Sequence, residues 1–202
     1  MNTFQKRFLN SLILLGLIVV IVFTNATPMF LIRFQSDLGG SVKWFLVLVY
    51  TVIVAFLIIW LWKWYQKGVD ADQAKQKMSW KDVGIILLFY LAGRVVAVVG
   101  TVMNQLVSGN QMSMNDQAIF GLTAGLKEGF LPFTICFLLV IGIVAPIIEE
   151  LVFRGLASQL LFSGGNKWLA AIVTSLIFGL LHASNLIEWI MYTGLGIVFY
   201  LA

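Results

Sequence analysis

Two short stretches of this sequence hold four of the ionisable side chains that fall within its apolar runs. Glu149-Glu150-Leu151-Val152-Phe153-Arg154 is followed, further along, by Phe178-Gly179-Leu180-Leu181-His182. Both lie in or against apolar runs, where an ionisable side chain is costly and marks a function or a partner. On a helix, Glu150 and Arg154 are i,i+4 neighbours and can form an ion pair that neutralises both. Glu149 stands about 100° further round the helix, so it can face a cavity with its charge uncompensated by Arg154. Phe178 and His182 share the same i,i+4 relation, which lets the phenyl ring cover the imidazole.

Between the stretches, Ser163-Gly164-Gly165-Asn166 is the turn-forming cluster. Glu149 lies sixteen residues before Gly165 and His182 seventeen after it. In an antiparallel hairpin of regular helices, both fall about 24 Å from the turn, at one depth. This requires the helix of Glu149 to continue to about Phe162, which Leu151, Val152, Leu156, Leu160 and Leu161 permit. A carboxylate and an imidazole at one depth can bind a water and deprotonate it. A divalent metal such as zinc could share that water through Glu149 and His182. Catalytic zinc normally takes three protein ligands, however, and these two supply only part of the set. Other nucleophiles are weaker candidates: Cys136 is about 20 Å along the helix from Glu149, and Ser184 has no partner that spacing identifies. Arg94 and Glu188 are the other ionisable residues within apolar runs. Glu149, a backbone carbonyl or a lipid phosphate are all open as the partner of Arg94.

The elements that must position these residues follow from composition. Of 202 residues, 60% are hydrophobic and 11% charged, against about 45–50% and 25% in soluble domains. A mean hydropathy of +0.97 excludes an ordinary soluble globule and a disordered chain alike. The apolar runs are Phe8–Phe23, Trp44–Trp62, Gly84–Val102, a fourth from near Phe130 through Pro132 and Pro146 into Glu149-Glu150, Trp168–Leu181 and Leu186–Ala202. None alternates as a barrel strand would. The expectation is an all-α polytopic transmembrane bundle, one membrane domain over residues 1–202, with about five complete helices and part of a sixth. The first run, after Lys6 and Arg7, also has the form of a signal peptide. It is read as a retained helix because no clear small-x-small cleavage site follows.

Charge supports a membrane topology. Lys6, Arg7, Lys63, Lys67, Lys75, Lys77 and Lys81 fall on one side, and Arg33, Lys43 and Lys127 on the other. The excess predicts a cytoplasmic N-terminus. The net charge of +4 is therefore topogenic and is not read as a nucleic-acid site. One cysteine and one histidine exclude an intrachain disulfide, a CxxC motif and any site needing two histidines from this chain. Gly194 and Gly196 are expected at close helix contacts.

The ordered pair Glu-Glu-x-x-x-Arg and Phe-x-x-x-His resembles the first two signatures of the CAAX protease and bacteriocin-processing (CPBP, or Abi) intramembrane proteases, which include the CAAX prenyl protease of the Ras-converting type. Ala145-Pro146 and Phe153-Arg154-Gly155 match the wording around the first signature. The resemblance covers about residues 130–202, with a weaker echo at Asn115-Asp116-Gln117. It implies an endopeptidase of a multi-pass plasma membrane protein, acting on membrane-associated peptides or lipidated protein tails. Glu149 would be the catalytic glutamate and His182 its partner on the water or on a metal. Glu150, Arg154 and Phe178 would support the site. Zinc dependence stays open, because family members have been described both as metalloproteases and as glutamate proteases. The family's third signature, His-x-x-x-Asn or His-x-x-x-Asp, is absent, since His182 is the only histidine. The expectation is a C-terminally incomplete chain, either a fragment or a natural truncation with crippled catalysis. The alternative function is non-catalytic, in bacteriocin self-immunity or scaffolding.

Overall fold

The computed structural model describes residues 2–69, 76–122, 126, 129–162 and 166–202, with Asn115 as backbone only. The turn residues Ser163-Gly164-Gly165, and Lys75 and Lys127 of the charge count, lie outside the described residues. Seven helices and no strand are found among the described residues: α1 (Thr3–Arg33), α2 (Gly40–Gln66), α3 (Trp80–Ser108), α4 (Met114–Phe120), α5 (Leu131–Phe162), α6 (Lys167–His182) and α7 (Leu186–Leu201). Helices α1, α2, α3 and α5 are long and apolar enough to cross a membrane, whereas α6 and α7 are shorter apolar helices. The chain is a polytopic helical membrane protein. All six expected apolar runs are helical, and α4 is an additional short helix.

The helices outrun the apolar segments because polar caps decide where they start. Asn2 and Gln5 form a capping box at α1, and Ser79 and Asp82 form one at α3. Asn166 and Asn185 accept backbone N–H groups at the starts of α6 and α7. Gly109, at φ 70°, closes α3 in the left-handed conformation that glycine tolerates.

Contacts divide the chain into two units. The first comprises Met1–Gly68 and Ile119–Leu156, that is α1, α2 and most of α5. Phe133 and Phe137 of α5 are wholly buried there with Ile32 of α1. Tyr50 and Val54 of α2 pack with Val140. Prolines shape this unit. Pro28 sits inside α1 and has no N–H to give to the carbonyl of Thr24, four residues back. The Tyr50 hydroxyl takes that place, donating to the Thr24 carbonyl at 2.9 Å. In α5, Pro146 lies two residues past a π-helical stretch, Val140–Val144, that closes with the Ala145 N–H on the Val140 carbonyl. A second π-helical stretch covers Glu150–Leu156.

The second unit comprises Val69–Ala118 and Ala157–Ala202. Here α6 and α7 meet through small residues. A Cβ on Gly179 would run into Thr193 and come within 2.8 Å of its backbone nitrogen. One on Gly196 would lie 3.0 Å from the Ser175 Cα. A Cβ on Gly194 would lie 3.2 Å from Val96 of α3, so both expected close-packing glycines lie at helix contacts. The Trp189 indole N–H adds a bond to the Leu176 carbonyl at 3.1 Å.

Two outcomes follow for stability in detergent. Gly196→Val is expected to lose about 1–3 kcal/mol through overpacking, seen as a lower thermal midpoint, while Gly16→Ala, with nothing within 4 Å of its Cβ, leaves the midpoint unchanged or slightly higher. Tyr50→Phe strands the Thr24 carbonyl and is expected to cost about 1–3 kcal/mol in the same measurement.

Candidate active site

Glu149 and Glu150 sit where α5 passes from α-helix into its second π-helical stretch. Such i→i+5 turns are uncommon and concentrate at functional sites. The regular helix assumed from sequence across Glu149–Arg154 is therefore corrected, because a π-turn widens the coil and alters the angle between successive side chains. The i,i+4 ion pair survives the change: Arg154 Nη1 lies 3.3 Å from Glu150 Oε1. Arg154 is largely buried, while Glu150 remains 51% exposed. Gly155 ends the motif because the Tyr65 ring occupies the place of a side chain, 2.7 Å from where its Cβ would stand.

Glu149 is half-buried and accepts a hydrogen bond at 3.3 Å from the Asn25 amide nitrogen, across from α1. Asn25 lies beside Thr24, whose carbonyl Tyr50 holds. The side-chain oxygen of Asn25 is buried with no hydrogen-bond partner. Asn25 is not among the residues that the sequence motifs single out. The available signal was an amide in the middle of an apolar run.

His182 closes α6 in the second unit. Its ring lies 4.2 Å from that of Phe178 and 5.4 Å from that of Tyr192, between centroids. Its Nδ1 is 2.8 Å from the Phe178 carbonyl oxygen. A carbonyl only accepts, so Nδ1 carries the proton, and in the neutral ring Nε2 is an acceptor. Glu149, Glu150 and Arg154 thus belong to one unit and Phe178 and His182 to the other. The hairpin register drawn through Gly165 rests on residues outside those described. Among the described residues no group of three His, Cys, Asp or Glu side chains comes together for a metal. A catalytic zinc normally takes three such ligands.

Glu188 is the most deeply buried acid among the described residues, 1% exposed. Its Oε1 accepts from Asn104 Nδ2 at 3.2 Å, and its Oε2 from the Ser184 N–H and hydroxyl at 2.9 and 3.0 Å. Asn185 donates in turn to Asn104 Oδ1 at 3.1 Å. This network ties the link after His182 to α3, and gives Ser184 a structural partner. Cys136 is a half-buried free thiol in α5. Arg94 is exposed on α3 and lines a cavity with Tyr192.

Comparison with known proteins places these residues in context. Residues 131–202 match the family model described as type II CAAX prenyl endopeptidase Rce1-like. A Bacillus subtilis (strain 168) protein named "Putative membrane peptidase YdiL" is 28% identical over 122 residues, 58% of this chain and 46% of the relative. The membrane-embedded CAAX protease MroQ of Staphylococcus aureus (strain USA300) is 33% identical over 112 residues, 52% of this chain and 41% of the relative. The matches therefore span less than half of the length of either relative. No solved structure matches the chain. Residues 131–202, which contain both the Glu149-Glu150 and His182 motifs, are thus similar to the Rce1-like type II CAAX prenyl endopeptidases, and the chain is similar in part to two bacterial proteins named as a membrane peptidase and a CAAX protease.

Proposed function

We propose that this protein is an intramembrane endopeptidase in which Glu149 and His182 activate one water against a peptide bond. The observation that carries the reading is the ordered pair of motifs inside the family-matched segment. The substrate is a membrane-associated peptide or a lipidated protein tail. Bacterial relatives and the distribution of lysines support a plasma membrane protein with a cytoplasmic N-terminus.

In this reading the Glu149 carboxylate takes a proton from the water, whose oxygen bonds to the scissile carbonyl carbon. The carbonyl electron pair moves onto its oxygen. When it returns, the C–N bond breaks, and the protonated Glu149 delivers its proton to the leaving amine. His182 is a second acceptor: with Nδ1–H directed at the Phe178 carbonyl, Nε2 accepts a hydrogen bond from the water's other O–H, which stays bonded to the oxygen, and so orients the attacking lone pair. Asn25 holds Glu149 through the amide bond to Oε1. The Glu150–Arg154 pair keeps the neighbouring charge from competing for the same proton.

Expressed in the full-length protein at equal membrane abundance, Glu149→Ala and His182→Ala are each expected to abolish cleavage of a membrane peptide substrate. Cleavage at the wild-type rate by both variants would overturn the peptidase reading and leave a non-catalytic role such as immunity or scaffolding. Asn25→Ala is expected to lower kcat by about 10–100-fold, the usual cost of losing a group that orients a reacting one. Its KM should stay near wild type.

A further inference from the structure

His182 is bonded at one edge and bordered by two rings. Its Nδ1 lies 2.8 Å from the Phe178 carbonyl oxygen. The Phe178 ring is 4.2 Å away between centroids and inclined by 31°, and the Tyr192 ring is 5.4 Å away and inclined by 39°. A hydrogen bond at Nδ1 fixes one atom of the imidazole, while the terminal torsion of a histidine is broad. Packing against the ring therefore restricts how the rest of it swings. Phe178 stands one turn back on the same helix, whereas Tyr192 comes from α7 and ties the imidazole to a second element.

The backbone explains why Tyr192 stands there. Gly179 lies between Phe178 and His182, and a Cβ on it would come 2.8 Å from the Thr193 nitrogen and 3.0 Å from the Trp189 carbonyl oxygen. Helices α6 and α7 thus meet almost backbone to backbone at this point. That approach brings Tyr192, the neighbour of Thr193, beside the imidazole.

The hydroxyl decides what kind of role the residue has. Tyr192 donates to the Ser113 hydroxyl at 3.2 Å. Ser113, which is buried, donates to Asp116 Oδ2 at 2.9 Å and accepts the Asp116 N–H at 3.2 Å. A hydroxyl offers one donor and two acceptor sites, so these three bonds use the whole capacity of Ser113. The carboxylate only accepts, which fixes the direction: Ser113 gives its proton to Asp116, and Tyr192 gives its own to Ser113. Bonds in such a chain polarise one another. The phenol proton is thereby committed to Ser113, and what His182 meets is the ring. This is the arrangement of a residue that orients, not of one that supplies a proton to the reaction.

We propose that Tyr192 is a positioning residue for His182: its ring, held by the Ser113–Asp116 cap, keeps Nδ1–H on the Phe178 carbonyl and presents Nε2 to the water. The use of Nε2 rests on the peptidase reading, but the position of the ring is measured without cleavage. Protein carrying isotopically labelled histidine is reconstituted in phosphatidylcholine nanodiscs, and the His182 ring signals are identified in NMR spectra by their loss in His182→Gln. At a pH of about 8, where an imidazole is ordinarily neutral, the wild type is expected to show a protonated Nδ1, an unprotonated Nε2 and ring protons shifted upfield of free histidine. Tyr192→Leu should move those protons downfield and mix the two tautomers. Tyr192→Phe and Ser113→Ala should each give the same smaller shift, and the double variant no more than either, because both break one link. Trp189→Phe, which removes the bond to the Leu176 carbonyl, should lower the thermal midpoint and leave the His182 signals in place, separating lost position from lost stability. Wild-type ring signals in Tyr192→Leu, or effects of Tyr192→Phe and Ser113→Ala that add, would overturn the proposal. With a quenched fluorescent transmembrane peptide as substrate, Tyr192→Leu is expected to lower kcat by about 100-fold, the scale of a misplacement of about 1 Å, with KM near wild type; an unchanged kcat would overturn the proposal equally. Absence of cleavage by the wild-type protein defeats the peptidase reading and leaves the ring signals readable.

Discussion

Hydrocarbon supplies no hydrogen bonds, so each polar group held inside this bundle needs a partner from the chain itself or a water-lined space. Pro28 shows how far the constraint reaches. The carbonyl it orphans at Thr24 is taken by Tyr50, and that bond fixes α1 against α2 beside Asn25. Asn25 in turn donates to Glu149. A backbone defect in one helix is thereby linked, through two hydrogen bonds, to the carboxylate on which the proposed chemistry depends. Without the phenol, the same proline would leave a bare carbonyl in an apolar environment.

The second unit answers the same demand differently. Rather than one long-range bond, it gathers Asn104, Ser184, Asn185 and Glu188 into a closed set of donors and acceptors at the corner after His182. The carboxylate of Glu188 has donors on both oxygens, which suits a structural acid. Glu149 has the Asn25 amide on one oxygen and lies at a change of helical type. Two acids of one chemical kind thus have different surroundings: Glu188 is ringed by donors, and Glu149 is set at a widened turn beside an amide whose own oxygen is buried unpaired.

Short-range relations were legible in the sequence because a helix repeats. The Glu150–Arg154 pair and the Phe178–His182 stack follow from i,i+4 spacing alone. The π-helical stretches were not legible, although Pro146 signalled a break, because a proline says that a bond is lost and not how the coil closes around it. Gly155 illustrates the same limit. Its place in the motif could be read, but its reason, the Tyr65 ring packed where a side chain would be, could not. Partners such as Asn25 for Glu149 and Asn104 for Glu188 lie more than eighty residues apart in sequence. No periodicity connects residues on separate helices.

By itself the sequence determined that this is a helical membrane protein and that four of the ionisable side chains within its apolar runs fall in two motifs, since hydropathy and local spacing are properties of the chain before it packs. Tertiary structure alone decided that Glu188 is ringed by donors, that Asn25 is the partner of Glu149, which ring nitrogen of His182 is committed to the backbone, and that Arg94 lines a cavity. Each of these depends on which groups converge, and in a bilayer convergence is set by the need of buried polar atoms for one another.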